Sequence, residues 1–243
     1  MVRTLVVLPT FNEVENIDEV LHRTKAALPD ASILVVDDGS PDGTADLAEK
    51  LNDELGDITV MRREGKSGLG SAYRAGFRWG ITRGYDALIE MDSDLSHDPA
   101  ALPDMVRALE TTRAGLVVGS RYVPGGAIPD WSWHRKALSK WGNRYAGAVL
   151  GMPVRDATSG FRVYRADVVD RLDLEGVRAD GYGFQIEMAY KVRGLGEQVV
   201  EHPISFTDRV RGTSKMSGAI VIEALWLVTW WAVRDRILRR KKR

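Results

Sequence analysis

The sequence predicts an α/β fold with a mainly parallel central sheet covered by helices on both faces. Two observations carry this. Brief apolar, β-rich runs alternate with amphipathic helical stretches through the first half of the chain, and that repetition is the signature of parallel strands joined by crossover helices. The apolar runs also end in acidic or glycine-containing segments, and in such sheets ligands bind beyond the carboxyl ends of the strands.

In chain order, residues 5–8 and 33–36 read as buried strands closed by Pro9 and Asp37. Between them, residues 14–28 place apolar side chains at helical spacing and stop before Pro29. A helix over 44–55, a strand over 58–61, a helix over 71–82 and a strand over 87–91 continue the alternation. A helix after Pro99 and a strand over 116–118 follow. The second half is less regular: residues 125–133 form a loop rich in Gly, Pro and Trp, and 135–150 read as helix. There is no internal repeat, and composition changes only near Gly218.

The 243 residues suit one large domain, and 44% hydrophobic residues suffice for a core. Acidic and basic residues balance at 34 each, which gives no electrostatic case for nucleic acid. With no cysteine, thiol nucleophiles, disulfides and cysteine zinc sites are excluded. The N-terminus runs into a strand without the apolar stretch of a secretory signal, so the bulk of the protein is expected in the cytoplasm.

The strand at 33–36 ends in Asp37-Asp38-Gly39-Ser40-Pro41-Asp42-Gly43-Thr44. Paired carboxylates there can accept hydrogen bonds from a base or ribose. Equally, Asp42 or Thr44 can cap the next helix, which alone explains most of the segment. The strand at 87–91 ends in Asp92-Ser93-Asp94. Residues two apart in an extended chain share a face, so both carboxylates can reach one hard cation, Mg²⁺ or Mn²⁺, alongside substrate phosphates. Asp98-Pro99 reads as a helix cap followed by proline in the first turn.

The stretch from Gly65 to Gly70 is neither a P-loop, which needs glycine where Val60 stands, nor a dinucleotide fingerprint, which needs glycine where Tyr73 stands. It leaves a loop with Lys66 before a helix N-terminus, suited to a diphosphate. Basic residues gather later: Arg121, Arg135, Arg162, Arg209, Arg211 and Lys215. Arginine forks match phosphate oxygens, though any single one is more often a solvated surface residue. The four histidines show no metal-ligand spacing, and His97 is expected at the edge of the site.

These segments also occur in a telling order. Pro9-Thr10-Phe11-Asn12-Glu13, Asp37-Asp38-Gly39-Ser40 with Asp42-Gly43-Thr44, Lys66-Ser67-Gly68-Leu69-Gly70 and Asp92-Ser93-Asp94-Leu95-Ser96-His97 come first. Gly119-Ser120-Arg121-Tyr122, Thr158-Ser159-Gly160-Phe161-Arg162 and residues 206–215 complete the set. Together they resemble the family 2 glycosyltransferases, and within them the dolichol-phosphate (polyprenol-phosphate) mannose synthases, over residues 2–217. The resemblance implies a GT-A fold, a GDP-mannose donor and a polyprenyl-phosphate acceptor. It places Pro9, Phe11, Glu13, Asp38 and Lys66 around the nucleotide, with Asp92 and Asp94 at the metal and diphosphate. Arg121, Arg135, Ser139, Arg209 and Lys215 would hold the acceptor phosphate and the donor diphosphate, with Asp94, Arg121 and Arg209 closest to the chemistry. Some members carry Gln at the metal site where this chain has Ser96, a poorer ligand. Others carry Tyr where this chain has Phe11, which keeps a ring for stacking. The implied reaction is a single inverting displacement. A polyprenyl-phosphate glucose synthase, a polysaccharide-extending enzyme, a sugar nucleotidyltransferase and a non-catalytic membrane scaffold are the competing readings.

Residues 219–233 are apolar except for Glu223 and Thr229, and include Trp226, Trp230 and Trp231. A helix of that length spans about 22 Å, short of the roughly 30 Å hydrocarbon core. The last ten residues carry seven Lys or Arg against Asp235. The expectation is a catalytic domain over 1–217 and, over 218–243, an interfacial helix with a basic tail. That tail would hold the protein peripherally at the cytoplasmic face of a membrane or against a small membrane-protein partner.

Overall fold

Strands covered on both faces must be apolar on both faces, and the central strands satisfy this. The computed structural model describes residues 2–177, 179–208 and 225–234. Its elements begin with β1 (Thr4–Thr10), α1 (Val14–Ala27), β2 (Ser32–Asp37), α2 (Thr44–Leu55), β3 (Ile58–Arg62), α3 (Leu69–Ile81) and β4 (Ala87–Glu90). A 3₁₀ turn (Pro99–Ala101) leads into α4 (Leu102–Thr112), β5 (Leu116–Ser120) and α5 (Trp133–Leu150). Then come β6 (Arg162–Arg165), α6 (Ala166–Asp170), α7 (Gly181–Gly194) and β7 (Val199–Pro203).

The seven strands form one sheet in the order β3-β2-β1-β4-β6-β5-β7. All pairings are parallel except the two made by β6 with β4 and β5. The mainly parallel sheet expected from the sequence is therefore present, with one reversed strand inside it. Side chains alternate between two cores. Leu5, Val7, Leu34, Val36 and Leu88 pack with Tyr73, Phe77 and Phe184 on one face. Val6, Leu8, Ile33, Val35 and Ile89 pack with Ile17, Leu21, Met105 and Leu109 on the other.

Register brings the ends of β1 and β2 level and stops β4 three residues short of them. Thr10 of β1 stands opposite Asp37 of β2, and Val7 opposite Glu90 of β4. The segment after β4 therefore runs on past its strand to reach the height at which β1 and β2 end. Helix α3 lies directly on the strands because glycine lets it approach. A Cβ on Gly76 would sit 2.4 Å from Cγ1 of Val7, and one on Gly80 would sit 2.6 Å from Cδ2 of Leu88.

The elements missing from the sequence reading are β6, α6, α7 and β7, and for β6 and α7 the reason is physical. β6 has only four residues, with arginine at both ends. In α7, Gly183 through Ala189 are all buried, so no apolar stripe contrasts with a polar face. Helix α3 starts at Leu69 and α5 at Trp133, each two residues before the expected start.

Residues 225–234 are helical. Val228, Trp231 and Ala232 are buried, Val228 and Trp231 within the core shared with α7. Thr229 shares a 2.7 Å hydrogen bond with Tyr145 of α5. The expected C-terminal helix is thus docked on the domain along one face where it is described, and the boundary at 217/218 lies outside the described residues. No helix among the described residues is long and apolar enough to cross a membrane.

Gly76→Ala should destabilise the protein. Overpacking against β1 costs about 1–3 kcal/mol, and alanine's better helix propensity returns at most about 1 kcal/mol. A net loss of about 1–2 kcal/mol in urea denaturation is expected.

Candidate active site

Beyond the carboxyl ends of β1, β2, β4 and β5 lies a cavity of about 610 Å³. Pro9, Phe11, Glu13, Asp38, Lys66, Asp92, Asp94, Ser96, Arg121 and Arg135 all line it. Ser139 does not: its hydroxyl accepts a 2.7 Å hydrogen bond from Tyr122, the residue after Arg121, behind the wall. Arg209 and Lys215 lie outside the described residues.

At the β2 end the paired aspartates divide their work. Asp37 is buried and accepts hydrogen bonds from the Thr10 hydroxyl (2.9 Å), the Ser40 hydroxyl (2.6 Å) and the Ser40 N–H (2.8 Å), which ties the ends of β1 and β2 together. Asp42 accepts from the N–H groups of Thr44 (3.0 Å) and Val14 (3.1 Å), anchoring the starts of α2 and α1. The polar-turn reading holds for these two. Asp38 alone reaches the cavity, accepting from the Ser67 N–H at 3.1 Å and standing 3.0 Å from Arg63. The Lys66 ammonium lies 5.1 Å from the Phe11 ring centroid, so the two flank one wall.

The N-terminus of α3 is not an open anion site. The Gly70 N–H donates to the Asp180 carboxylate at 3.1 Å, and a Cβ on Gly68 would fall 2.6 Å from that carboxylate. A side-chain carboxylate already takes the position a diphosphate was expected to use.

The β4 end departs from the expected geometry. The strand stops at Glu90, and Asp92 and Asp94 reach the cavity through a turn rather than by strand alternation. Leu95 takes a left-handed conformation (φ 63°), and the Ser96 N–H donates to Asp94 at 3.0 Å, closing the turn. The Ser93 hydroxyl donates to the Pro9 carbonyl at 2.8 Å and pins the turn to β1. Tyr73 donates to Asp92 at 3.3 Å. His97 is part of the wall rather than its edge. It is buried, stacked on Phe161 at 5.0 Å and edge-on to Phe206 at 5.3 Å. Burial pushes its pKa down to about 4, so the ring is neutral near pH 7.

Two arginines also line the cavity, each held by a carboxylate. Arg121 forms a two-point ion pair with the buried Asp156, Nε to Oδ2 at 2.7 Å and Nη2 to Oδ1 at 2.6 Å. Asp156 receives a third bond from the Arg121 N–H at 2.9 Å. Arg135 stacks over Trp131 at 3.8 Å and reaches both oxygens of Asp208 at 3.0 Å. The Trp131 indole N–H also donates to Asp208, at 2.8 Å, so loop 125–133 is held against residues 204–208. Arg162 is withdrawn from any ligand role: fully buried, it donates to the carbonyls of Ser159, Gln185 and Ala157 at 2.6–2.7 Å.

Trp131, Tyr182, Gln185 and Asp208 also line the cavity and escaped the sequence reading. Tyr182 and Gln185 sit on α7, which lacks a periodic signal. Trp131 and Asp208 matter only because they meet each other.

A mainly parallel α/β sheet with a polar cavity beyond its strand ends, lined by Asp92, Asp94, Arg121 and Arg135, is the architecture of a glycosyltransferase of GT-A type. The family model for glycosyl transferase family 2 matches residues 5–173, and the chain belongs to that family. Among its relatives, the undecaprenyl-phosphate mannosyltransferase of Micrococcus luteus is 47% identical over 234 residues, covering 96% of each chain. The polyprenol monophosphomannose synthase of Mycolicibacterium smegmatis is 47% identical over 242 residues, covering 98% of this chain and 90% of that one. The dolichol-phosphate mannosyltransferase of Pyrococcus furiosus is 36% identical, and the match spans 96% of this chain but 66% of that protein. Solved structures share the fold. A glucosyl-3-phosphoglycerate synthase from Mycobacterium tuberculosis, solved with Mn²⁺ and UDP, has TM-score 0.67 at 20% identity, covering 93% and 78% of the two chains. A mannosyltransferase from Pyrobaculum calidifontis, solved with GDP-Man and Mn²⁺, has TM-score 0.61 at 16% identity, covering 96% and 72%.

Two outcomes follow from the site's buried charges. Burial pushes the Glu90 carboxyl up to about 7, against the charge of Arg162 and hydrogen bonds from Gln185 and Tyr164. Above its ordinary pKa the unfolded chain gives up this proton while the native state keeps it, so stability falls as pH rises through about 7. Glu90→Gln should flatten that fall, which is on the order of 2–3 kcal/mol, in denaturation curves at pH 5 and 8. Asp156→Ala strands a buried guanidinium and should cost about 3–5 kcal/mol by the same measurement.

Proposed function

We propose that the enzyme transfers mannose from GDP-mannose to a polyprenyl phosphate, with inversion, at the cytoplasmic face of a membrane. One observation carries the reading most: a single cavity is lined by Asp92 and Asp94 together with Arg121 and Arg135, which suits a metal-bound diphosphate and a second anionic substrate in one space. The names of the two relatives at 47% identity support the sugar and the lipid phosphate.

The donor set suits a divalent cation. Asp92 and Asp94 offer hard oxygen ligands, and Mg²⁺ or Mn²⁺ is commonly held by one or two carboxylates with substrate phosphates. Among the described residues no group of three or more His, Asp or Glu side chains forms a closed cage, which leaves phosphates to complete the coordination. Ser96, buried with its N–H on Asp94, serves the turn more than the ion. When bound, the cation neutralises charge growing on the departing diphosphate. Phe11, Glu13, Asp38 and Lys66 hold the nucleotide end.

The acceptor needs placement more than activation. A phosphate monoester has a second pKa of about 6 and is largely dianionic at neutral pH. Arg121, its fork fixed by Asp156, and Arg135, braced on Trp131, present positive charge where the acceptor phosphate enters, together with Arg209. Ser139 supports that wall from behind through Tyr122, and Lys215 is assigned to the donor diphosphate.

Mass spectrometry of lipids after incubation with polyprenyl phosphate, Mg²⁺ or Mn²⁺ and either GDP-mannose or UDP-glucose tests this directly. A mannosyl lipid formed only from GDP-mannose and lost with EDTA is expected, and a glucosyl product would overturn the donor. Asp94→Ala should lower turnover at least about a hundredfold, and wild-type rates would sink the metal assignment. Arg135→Ala and Arg209→Ala should raise the KM for the lipid phosphate several-fold while donor binding, read by calorimetry, changes little.

A further inference from the structure

Burying a polar atom without a partner costs free energy, so an unpaired buried atom beside a cavity marks where a ligand group belongs. Among the described residues, three cavity-lining side chains hold such an atom. Asp38 Oδ1 faces the Arg63 guanidinium at 3.0 Å, and His97 Nδ1 faces the Asp92 carboxylate at 3.9 Å, so each has a charged group beside it. The third is the side-chain carbonyl, Oε1, of Gln185 on α7. It has no hydrogen-bond donor among the described residues, although Gln185 is only 2% exposed.

The rest of Gln185 is committed, and this fixes where that carbonyl stands. Its amide N–H donates to Glu90, whose other oxygen accepts from the Tyr164 hydroxyl at 3.1 Å. Its backbone carbonyl accepts from Arg162 at 2.6 Å. Gly160 lines the cavity next to it. A Cβ there would stand 3.5 Å from the Gln185 amide nitrogen and 3.6 Å from Asp92 Oδ2. The amide and the Asp92 carboxylate thus flank one glycine, whose missing side chain leaves room for a ligand atom.

We propose that the Gln185 carbonyl accepts a hydrogen bond from a hydroxyl of the donor's sugar, in the space that Gly160 leaves open, a proposal that rests on the nucleotide-sugar reading of the cavity. Hydrogen-bond complementarity selects this group. An amide carbonyl only accepts, so its match must donate. The oxygens of a diphosphate are acceptors and do not fit. The nucleotide's own donors belong to the other end, with Phe11, Asp38 and Lys66. A sugar hydroxyl donates, and the sugar is attached directly to the diphosphate that Asp92 and Asp94 would hold through a cation. A site built to bond a hydroxyl rejects a sugar that lacks it, because its own buried group is then left unpaired.

Calorimetry of the full chain with Mg²⁺ or Mn²⁺ tests this by comparing GDP with GDP-mannose. Gln185→Leu should bind GDP as wild type does and GDP-mannose about tenfold more weakly. Gly160→Ala leaves Glu90 its hydrogen bonds and should show the same split, so the proposal stays testable if Gln185→Leu does not fold. GDP-mannose analogues that each lack one sugar hydroxyl complete the cycle. Wild type should bind one of them about tenfold more weakly than GDP-mannose, and Gln185→Leu should bind that one and GDP-mannose alike. Equal weakening of GDP and GDP-mannose would overturn the proposal and place Gln185 at the cation or the diphosphate. Unchanged GDP-mannose binding in the variants would overturn it as well. If wild type binds UDP and UDP-glucose instead of the guanine nucleotides, the donor reading falls. The same comparison made with that pair then decides the role of Gln185: weakening confined to the nucleotide-sugar supports it, and any other result overturns it.

Discussion

A guanidinium without solvent must find oxygen for its donors, and Arg162 finds it in three backbone carbonyls from two separate parts of the chain. Ser159 and Ala157 belong to the segment that holds Asp156, and Gln185 belongs to α7. Arg162 also contacts the Tyr164 hydroxyl at 3.3 Å, and that hydroxyl donates to Glu90 at 3.1 Å. One buried side chain on the reversed strand thus locks β4, α7 and the 156–159 segment together. The position of Asp156 in turn fixes Arg121. Replacing such a hub by an apolar residue would leave several buried carbonyls without donors, each a penalty of the size of a lost hydrogen bond or more.

The acidic wall depends on a different constraint. Parallel strands carry their carboxyl ends to one edge of the sheet, so the segments after β1, β2 and β4 open onto one space. Hydrogen bonds then make those loops rigid: Thr10 to Asp37, Ser93 to Pro9 and Ser96 to Asp94. What these segments turn toward the cavity is Glu13, Asp38, Asp92 and Asp94. Pre-positioned charges of this kind need no reorganisation when substrate arrives.

The basic wall is assembled by contacts between loops. Trp131 from the 125–133 loop and Asp208 from the end of the 204–208 segment hold Arg135 between them, one by ring stacking and one by charge. Because Arg135 belongs to α5, whose far side exposes Trp133 and Trp141, the cavity and the outer surface share one helix.

The strand–helix alternation of the first half was legible because strands buried on both faces are apolar runs and their helices carry one apolar stripe. The residues at those strand ends were legible only as candidates, since the same polar motifs also tie turns and cap helices, as Asp37 and Asp42 do. Asp92 and Asp94 reached the cavity as expected, but by a left-handed turn at Leu95 that strand periodicity does not encode. The second half was hidden for physical reasons. Helix α7 is buried all round, β6 is four residues long, and Trp131 and Asp208 gain a role only by meeting across 77 positions of chain. Sequence by itself determined the five strands of the first half, the acidic ends of β2 and β4 and the family, since these rest on local pattern and order. Tertiary structure alone decided which charges face the cavity and which are spent on the scaffold, because burial and partners, not residue type, separate Arg121 from Arg162 and Asp38 from Asp37.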